Sequence, residues 1–313
     1  MTPKKLAALA LMLALAFLIG CSGSATKSSD SDGDGDGVGK APKGLGGPSK
    51  NKRTAVLAGK AVLKGKVTVE GEMPPIAKLN AEFVAKVEKS TDQAHCLCPN
   101  SGPDKEEQEW RINPTNKGLK NVVVFLVPEP GSYFACDPND EGVKQVQGKA
   151  LELHQPYCAF HPRAAVLFPK YRDKANKPVM TGQTITVFND TDKAPGGKKG
   201  GINHNTKWLN ENINISAGES KENISLGLTT TPVTFQCTIH GWMNANVFVL
   251  DHPYFAVTDE NGEFEIKNAP AEAVRIIAWH EAASPKYLNG EEAKGEAITL
   301  TAGENKKNFT AKQ

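Results

Sequence analysis

The chain has 313 residues, with 37 Lys and Arg against 35 Asp and Glu, a formal net charge of +2. That length is enough for about two domains, and near-neutral charge argues against a nucleic-acid-binding surface. With 29 Gly, 20 Pro and no long helical periodicity after the first 20 residues, the composition favours β-rich architecture over helical bundles.

In chain order, residues 1–20 read as a signal peptide rather than a folded element. Lys4 and Lys5 precede an apolar run from Leu6 to Ile19, shorter than the ~20 residues of a spanning helix. Leu18-Ile19-Gly20-Cys21 resembles the bacterial lipobox, which implies a diacylglycerol on Cys21. That places the chain in the cell envelope, facing the periplasm or the cell surface, and in contact with the membrane through its lipid alone. Cleavage removes Lys4 and Lys5, so the formal charge falls from +2 to zero (2 − 2). Residues 21–58, rich in Gly, Ser, Asp and Lys, read as a flexible tether. Asp30 to Gly35 imitates the start of a calcium loop. Ala41 stands where such a loop needs its bidentate Glu, so this stretch is assigned to linker.

From Ala61 the pattern becomes that of strands. Val62–Val69 alternates, Asn121–Val127 reads as a buried strand, and Lys78–Ser90 between them fits a short helix. Further strands are expected at 183–188, 233–237, 245–250, 254–257, 262–266 and 274–279. Many short strands separated by Gly and Pro predict an all-β chain of sandwich type. Residues 59–139 and 251–313 resemble two parts of a carboxypeptidase-regulatory-like β-sandwich, with Asp259-Glu260-Asn261-Gly262 as its turn. Residues 140–250 then form a second domain, inserted into or joined to the first.

The chemistry-bearing segment is Cys237-Thr238-Ile239-His240-Gly241-Trp242-Met243, with His204 about 30 residues upstream. A thiolate and two imidazoles in a plane, with a weak thioether on the axis, form the ligand set that suits copper cycling between two oxidation states. One tight loop supplies Cys237, His240 and Met243, and a different strand end supplies His204.

On these residues, 150–250 resembles the cupredoxins, the type 1 blue-copper proteins, with the short Cys-x-x-His-x-x-Met loop of amicyanin rather than the longer one of plastocyanin. The resemblance implies a Greek-key β-sandwich holding one type 1 copper on His204, Cys237, His240 and Met243. It also implies that Asn205 ties the two ligand loops together through Thr238. The larger order of segments is similar to envelope proteins of planctomycete-type bacteria described as methylamine-utilisation-like. One departure from the family is the long Gly- and Lys-rich loop Thr191–Ile202 before His204, which predicts a mobile rim beside the metal.

The implied function is one-electron transfer, with electrons leaving through the exposed edge of His240 and an apolar patch at Trp242. Lys193, Lys198 and Lys199 would favour an acidic redox partner such as a cytochrome. The alternative is periplasmic copper storage or delivery. A copper enzyme is disfavoured: no His-x-His pair accompanies the loop, and a binuclear centre needs two Cys in it. Cys96, Cys98, Cys136 and Cys158 remain as disulfide candidates in an oxidising compartment. A second metal site combining Cys96, Cys98, Cys158 and His161 is the competing reading.

Overall fold

The computed structural model describes residues 53–229, 231–289 and 294–313. The expected signal peptide, Cys21 and most of the tether lie outside these residues. The described chain is mostly β with few helices, an all-β sandwich architecture.

Two sheets formed by 150–249 enclose one core. The first has five strands in the order Glu211–Ile215, His204–Trp208, Val233–Gln236, Asn244–Val249 and Ala164–Leu167. The second has three, Ser220–Ile224, Thr184–Phe188 and Ala150–His154. Leu153, Ile185, Val187 and Ile224 of the smaller sheet meet Phe235, Ala245, Val247 and Trp208 of the larger.

A second pair of sheets joins segments far apart in sequence. Ala61–Val69 pairs with Glu263–Ala269, Gly303–Lys306 and Phe309–Ala311, while Val123–Val127 pairs with Phe255–Val257 and Ala273–Trp279. Their shared core includes Leu63, Val67, Leu126, Ile266 and Ile276. Residues 50–313 form one compact unit.

Strand parity explains how the two sandwiches join. Successive side chains of a strand point to opposite faces. Val124 and Leu126 therefore enter the second core, while Val123 and Phe125 face the other way. There they meet Ala164, Val166 and Phe248, the outward residues of strands whose Ala165, Leu167 and Val247 line the first core. Both faces of Val123–Val127 are covered, which is why it is a continuous apolar run. At the rim of this contact Arg163 donates to both carboxylate oxygens of Glu281, at 2.5 and 3.0 Å, and Asn246 donates to Glu281 at 3.1 Å.

The helix Ile76–Val87 bridges the two cores. Ile76 and Leu79 pack on the second sandwich, while Phe83 and Val87, one turn apart, pack on the first. A short helix, Gln93–Cys96, and the turns of Pro99–Lys105 follow. These elements form a cap over one end of the first sandwich.

Candidate metal centre

Three buried side chains meet under that cap. His204 opens its strand, Cys237 follows the strand Val233–Gln236, and His240 sits in the loop before Asn244–Val249. The loop is closed by backbone hydrogen bonds from Cys237 N–H to Met243 O at 3.1 Å and from Met243 N–H to His240 O at 2.8 Å. Nδ1 of His204 and Nδ1 of His240 lie 3.1 Å apart, and Sγ of Cys237 is 3.8 and 3.9 Å from them. The backbone N–H of His240 also donates to Sγ of Cys237, at 3.4 Å. Met243 is fully buried in the same core.

The ring partners fix the tautomers. Nε2–H of His204 donates to the carbonyl of Tyr157 at 2.8 Å, so its Nδ1 carries a lone pair. Nε2 of His240 makes no aligned hydrogen bond, but the Asp92 carboxylate lies 3.3 Å away, and its negative charge favours the proton on that nitrogen. Two lone pairs then face each other at 3.1 Å in a place from which water is excluded. That arrangement is unfavourable unless a cation or the thiol proton lies between them.

A single ion fits the triangle. With metal–nitrogen distances of ~2.0–2.1 Å and a metal–sulfur distance of ~2.3 Å, the three sides correspond to ligand–metal–ligand angles of about 100°, 120° and 130°. These sum to nearly 360°, a flattened trigonal site of the kind that two imidazoles and a thiolate offer copper. Burial, reinforced by the neighbouring His240, pushes the His204 imidazolium down to about 3. Burial likewise lowers His240 against the pull of Asp92, and raises the Cys237 thiol against its hydrogen bonds. Without a metal all three groups are therefore neutral, and a cation entering the triangle displaces the thiol proton.

Asn205 links the two strands that carry the ligands. Its Oδ1 accepts from Thr238 N–H at 2.6 Å and Ile239 N–H at 3.3 Å, and its Nδ2 donates to Thr238 Oγ1 at 2.6 Å.

The cap covers the ring edge of His240 that was expected to be exposed. His240 has zero solvent exposure, so no edge of its ring reaches the surface. Asp92 lies across its outer nitrogen, and Trp242, 5.4 Å from its ring, is half-buried against the edge of Phe83. The exposed part of the ligand loop is Thr238, Ile239 and Gly241. The Gly- and Lys-rich loop differs from expectation too. Asn189 and Thr191 pin its base to Ile202, and its middle docks on the cap, where Lys198 N–H donates to Nδ1 of His95 at 3.0 Å. Gly197 approaches His95 so closely that a Cβ would lie 2.6 Å from the ring. Lys198 reaches the carboxylate of Asp92 at 3.8 Å, while Lys193 and Lys199 are exposed.

Of the four disulfide candidates, Cys96 and Cys158 are bonded to each other; Cys98 and Cys136 are free and buried. This rules out the second metal set. Both bonded sulfurs are used, and Nε2 of His161 instead meets the Asp104 carboxylate at 2.8 Å. The disulfide lies against the centre, both sulfurs within 4.8 Å of a ring nitrogen of His240. Sequence reading missed Asp92, Tyr157 and the cap itself. None of them carries a local motif, and only the proximity of Cys96 to an expected helix hinted at a structure there. A separate cleft of about 780 Å³, lined by Trp110, Arg111 and His161 among others, does not include the three converging residues. The chain matches no known protein family, and no curated protein matches it.

Proposed function

We propose that this protein is a one-electron carrier of the bacterial cell envelope with a single type 1 copper, of cupredoxin kind. The observation that carries the reading is the triangle of His204 Nδ1, His240 Nδ1 and Cys237 Sγ, with Met243 fully buried in the same core. Copper bound there supplies a one-electron couple. His204 and His240 would hold the copper through their Nδ1 lone pairs, Cys237 would contribute the thiolate, and Met243 would be the weak thioether donor. Ligands locked by Tyr157, Asn205 and the cap keep one geometry in both oxidation states, which favours rapid transfer.

The alternative, copper storage or delivery, needs ligands that exchange readily. Zero exposure of His204, Cys237, His240 and Met243 favours the carrier over it, and also over a catalyst that must admit a substrate. Ile239 and Gly241 are the natural docking face for a redox protein such as a cytochrome, because weak redox encounters use small interfaces of less than ~1,200 Å². Lipid on Cys21 would anchor the chain, and no helix among the described residues is long and apolar enough to cross a membrane. Cys21→Ser should release the protein from membranes.

The deciding experiment is the visible spectrum of the chain loaded with Cu(II). An intense thiolate-to-copper band is expected, absent from Cys237→Ser. Met243→Leu should keep the band and raise the reduction potential, since losing a weak donor disfavours Cu(II). A colourless complex, or colour persisting without Cys237, overturns the assignment.

A further inference from the structure

The two histidines of the centre are held differently. His204 rests on a neutral carbonyl and His240 on a carboxylate. We propose that Asp92 is a positioning residue that acts through His240, its carboxylate charge set 3.3 Å from Nε2 and thereby favouring the oxidised over the reduced metal. This rests on the copper reading given above.

Several features of the chain place Asp92 there. Its own carbonyl accepts from His95 N–H at 2.9 Å and Cys96 N–H at 3.1 Å, so it opens the short helix Gln93–Cys96. That helix is bonded through Cys96 to Cys158, directly after Tyr157, which holds the other histidine. The disulfide and the two acceptor groups therefore form one rigid frame around the outer nitrogens. The Asp92 side chain is only 16% exposed, and His240 is sealed beneath it, so the charge acts through little water. In that setting its negative charge, beside the ring without an aligned hydrogen bond to it, stabilises the more positive metal state. Lys198, 61% exposed and 3.8 Å from the other carboxylate oxygen, opposes this weakly. In the redox step one electron arrives from an external one-electron donor protein and the centre falls by one unit of charge. No bond breaks, and Nε2–H stays on His240.

The experiment is a redox titration of the full copper-loaded chain and of two variants, Asp92→Asn and Lys198→Gln. Outer partners of this kind are worth about 10- to 100-fold in metal affinity. Asp92→Asn should weaken Cu(II) relative to Cu(I) about tenfold, an upward shift of ~59 mV for one electron. Lys198→Gln, which leaves the carboxylate unopposed, should shift the midpoint downward by about twofold, ~18 mV. A residue that only holds the cap together would change stability in both variants without moving the potentials in opposite directions. If both variants keep the thiolate-to-copper band and both midpoints match the wild type, the inference is overturned and the copper reading stands. If Asp92→Asn does not hold copper, the sign of the Lys198→Gln shift decides, an upward or absent shift counting against the proposal. Absence of the band from the wild-type chain overturns the copper reading and this inference together.

Discussion

The two sandwiches of this protein are built alike and used differently. In the second, the buried residues around Leu63, Leu126 and Ile276 are apolar, and a polar residue such as Thr258 is satisfied locally, donating to Leu119 O and accepting from Val122 N–H. In the first, one end of an otherwise similar core is given to His204, His240 and Cys237, which face one another. Close packing stabilises the second sandwich; the first accepts a local conflict of lone pairs that a bound cation would relieve. The site is therefore costly to its own domain, and the cap, tied down by the Cys96–Cys158 bond, closes over it.

The largest expected effect blurs this division, because the supporting half also buries neutral histidines. His252, packed on Phe134, is pushed down to about 4, and His280, beside Trp110, to about 3, in each case chiefly by burial. With folded values below the unfolded ~6.5, the unfolded chain binds more protons in acid. Their contribution is intact above about pH 6.5 and declines as the pH falls to about 4 for His252 and about 3 for His280, on the order of 3 and 5 kcal/mol. Urea unfolding of the metal-free protein at pH 7 and pH 4.5 measures this, and equal stabilities would contradict it.

The next effect tests the frame of the cap. The Cys96–Cys158 bond spans 62 residues, and the chain-entropy relation gives about 4 kcal/mol for a loop of that size. Replacing both cysteines by alanine should lower stability by roughly that much and let amide exchange begin in 76–105 first. Uniform exchange across both sandwiches would mean the cap is not an independent element.

Leu126→Ala, in the second core, separates stability from chemistry. Its side chain is fully buried, so the expected loss is about 2–5 kcal/mol. The copper spectrum of the folded protein should stay unchanged. A shifted band would show that the sandwiches are mechanically one.

Asn205→Ala sharpens the contrast from the other side. Global stability should change little, while copper affinity falls about 10- to 100-fold, because Thr238 and Ile239 lose the acceptor that fixes the ligand loop. Competition against a chelator reads this directly, and unchanged affinity would reduce Asn205 to a structural residue.

The site was more legible in the sequence than the fold around it. Cys237 and His240 lie on one short loop, so their spacing alone brings them together. His204 came from the same reasoning about a neighbouring strand end. The strands 61–69, 123–127, 184–188 and 244–249 were visible from alternation or apolar runs. Strands such as Glu211–Ile215 and Ser220–Ile224 were not, because their exposed faces are polar and only their last residues are buried. The helix Ile76–Val87 was anticipated, but not that its two ends would serve two different cores.

What the sequence alone determined is which side chains converge, His204, Cys237 and His240, since a short loop and a neighbouring strand end need only the right order. Tertiary structure alone decided how that set meets its surroundings. Asp92 and Cys96 approach His240 across about 140 residues of chain, and such contacts follow from how two cores pack, which no window of sequence encodes. For the same reason the exposed edge expected at His240 is a buried one. Ligand spacing specifies which atoms can face a metal, whereas solvent access depends on everything else that folds over them.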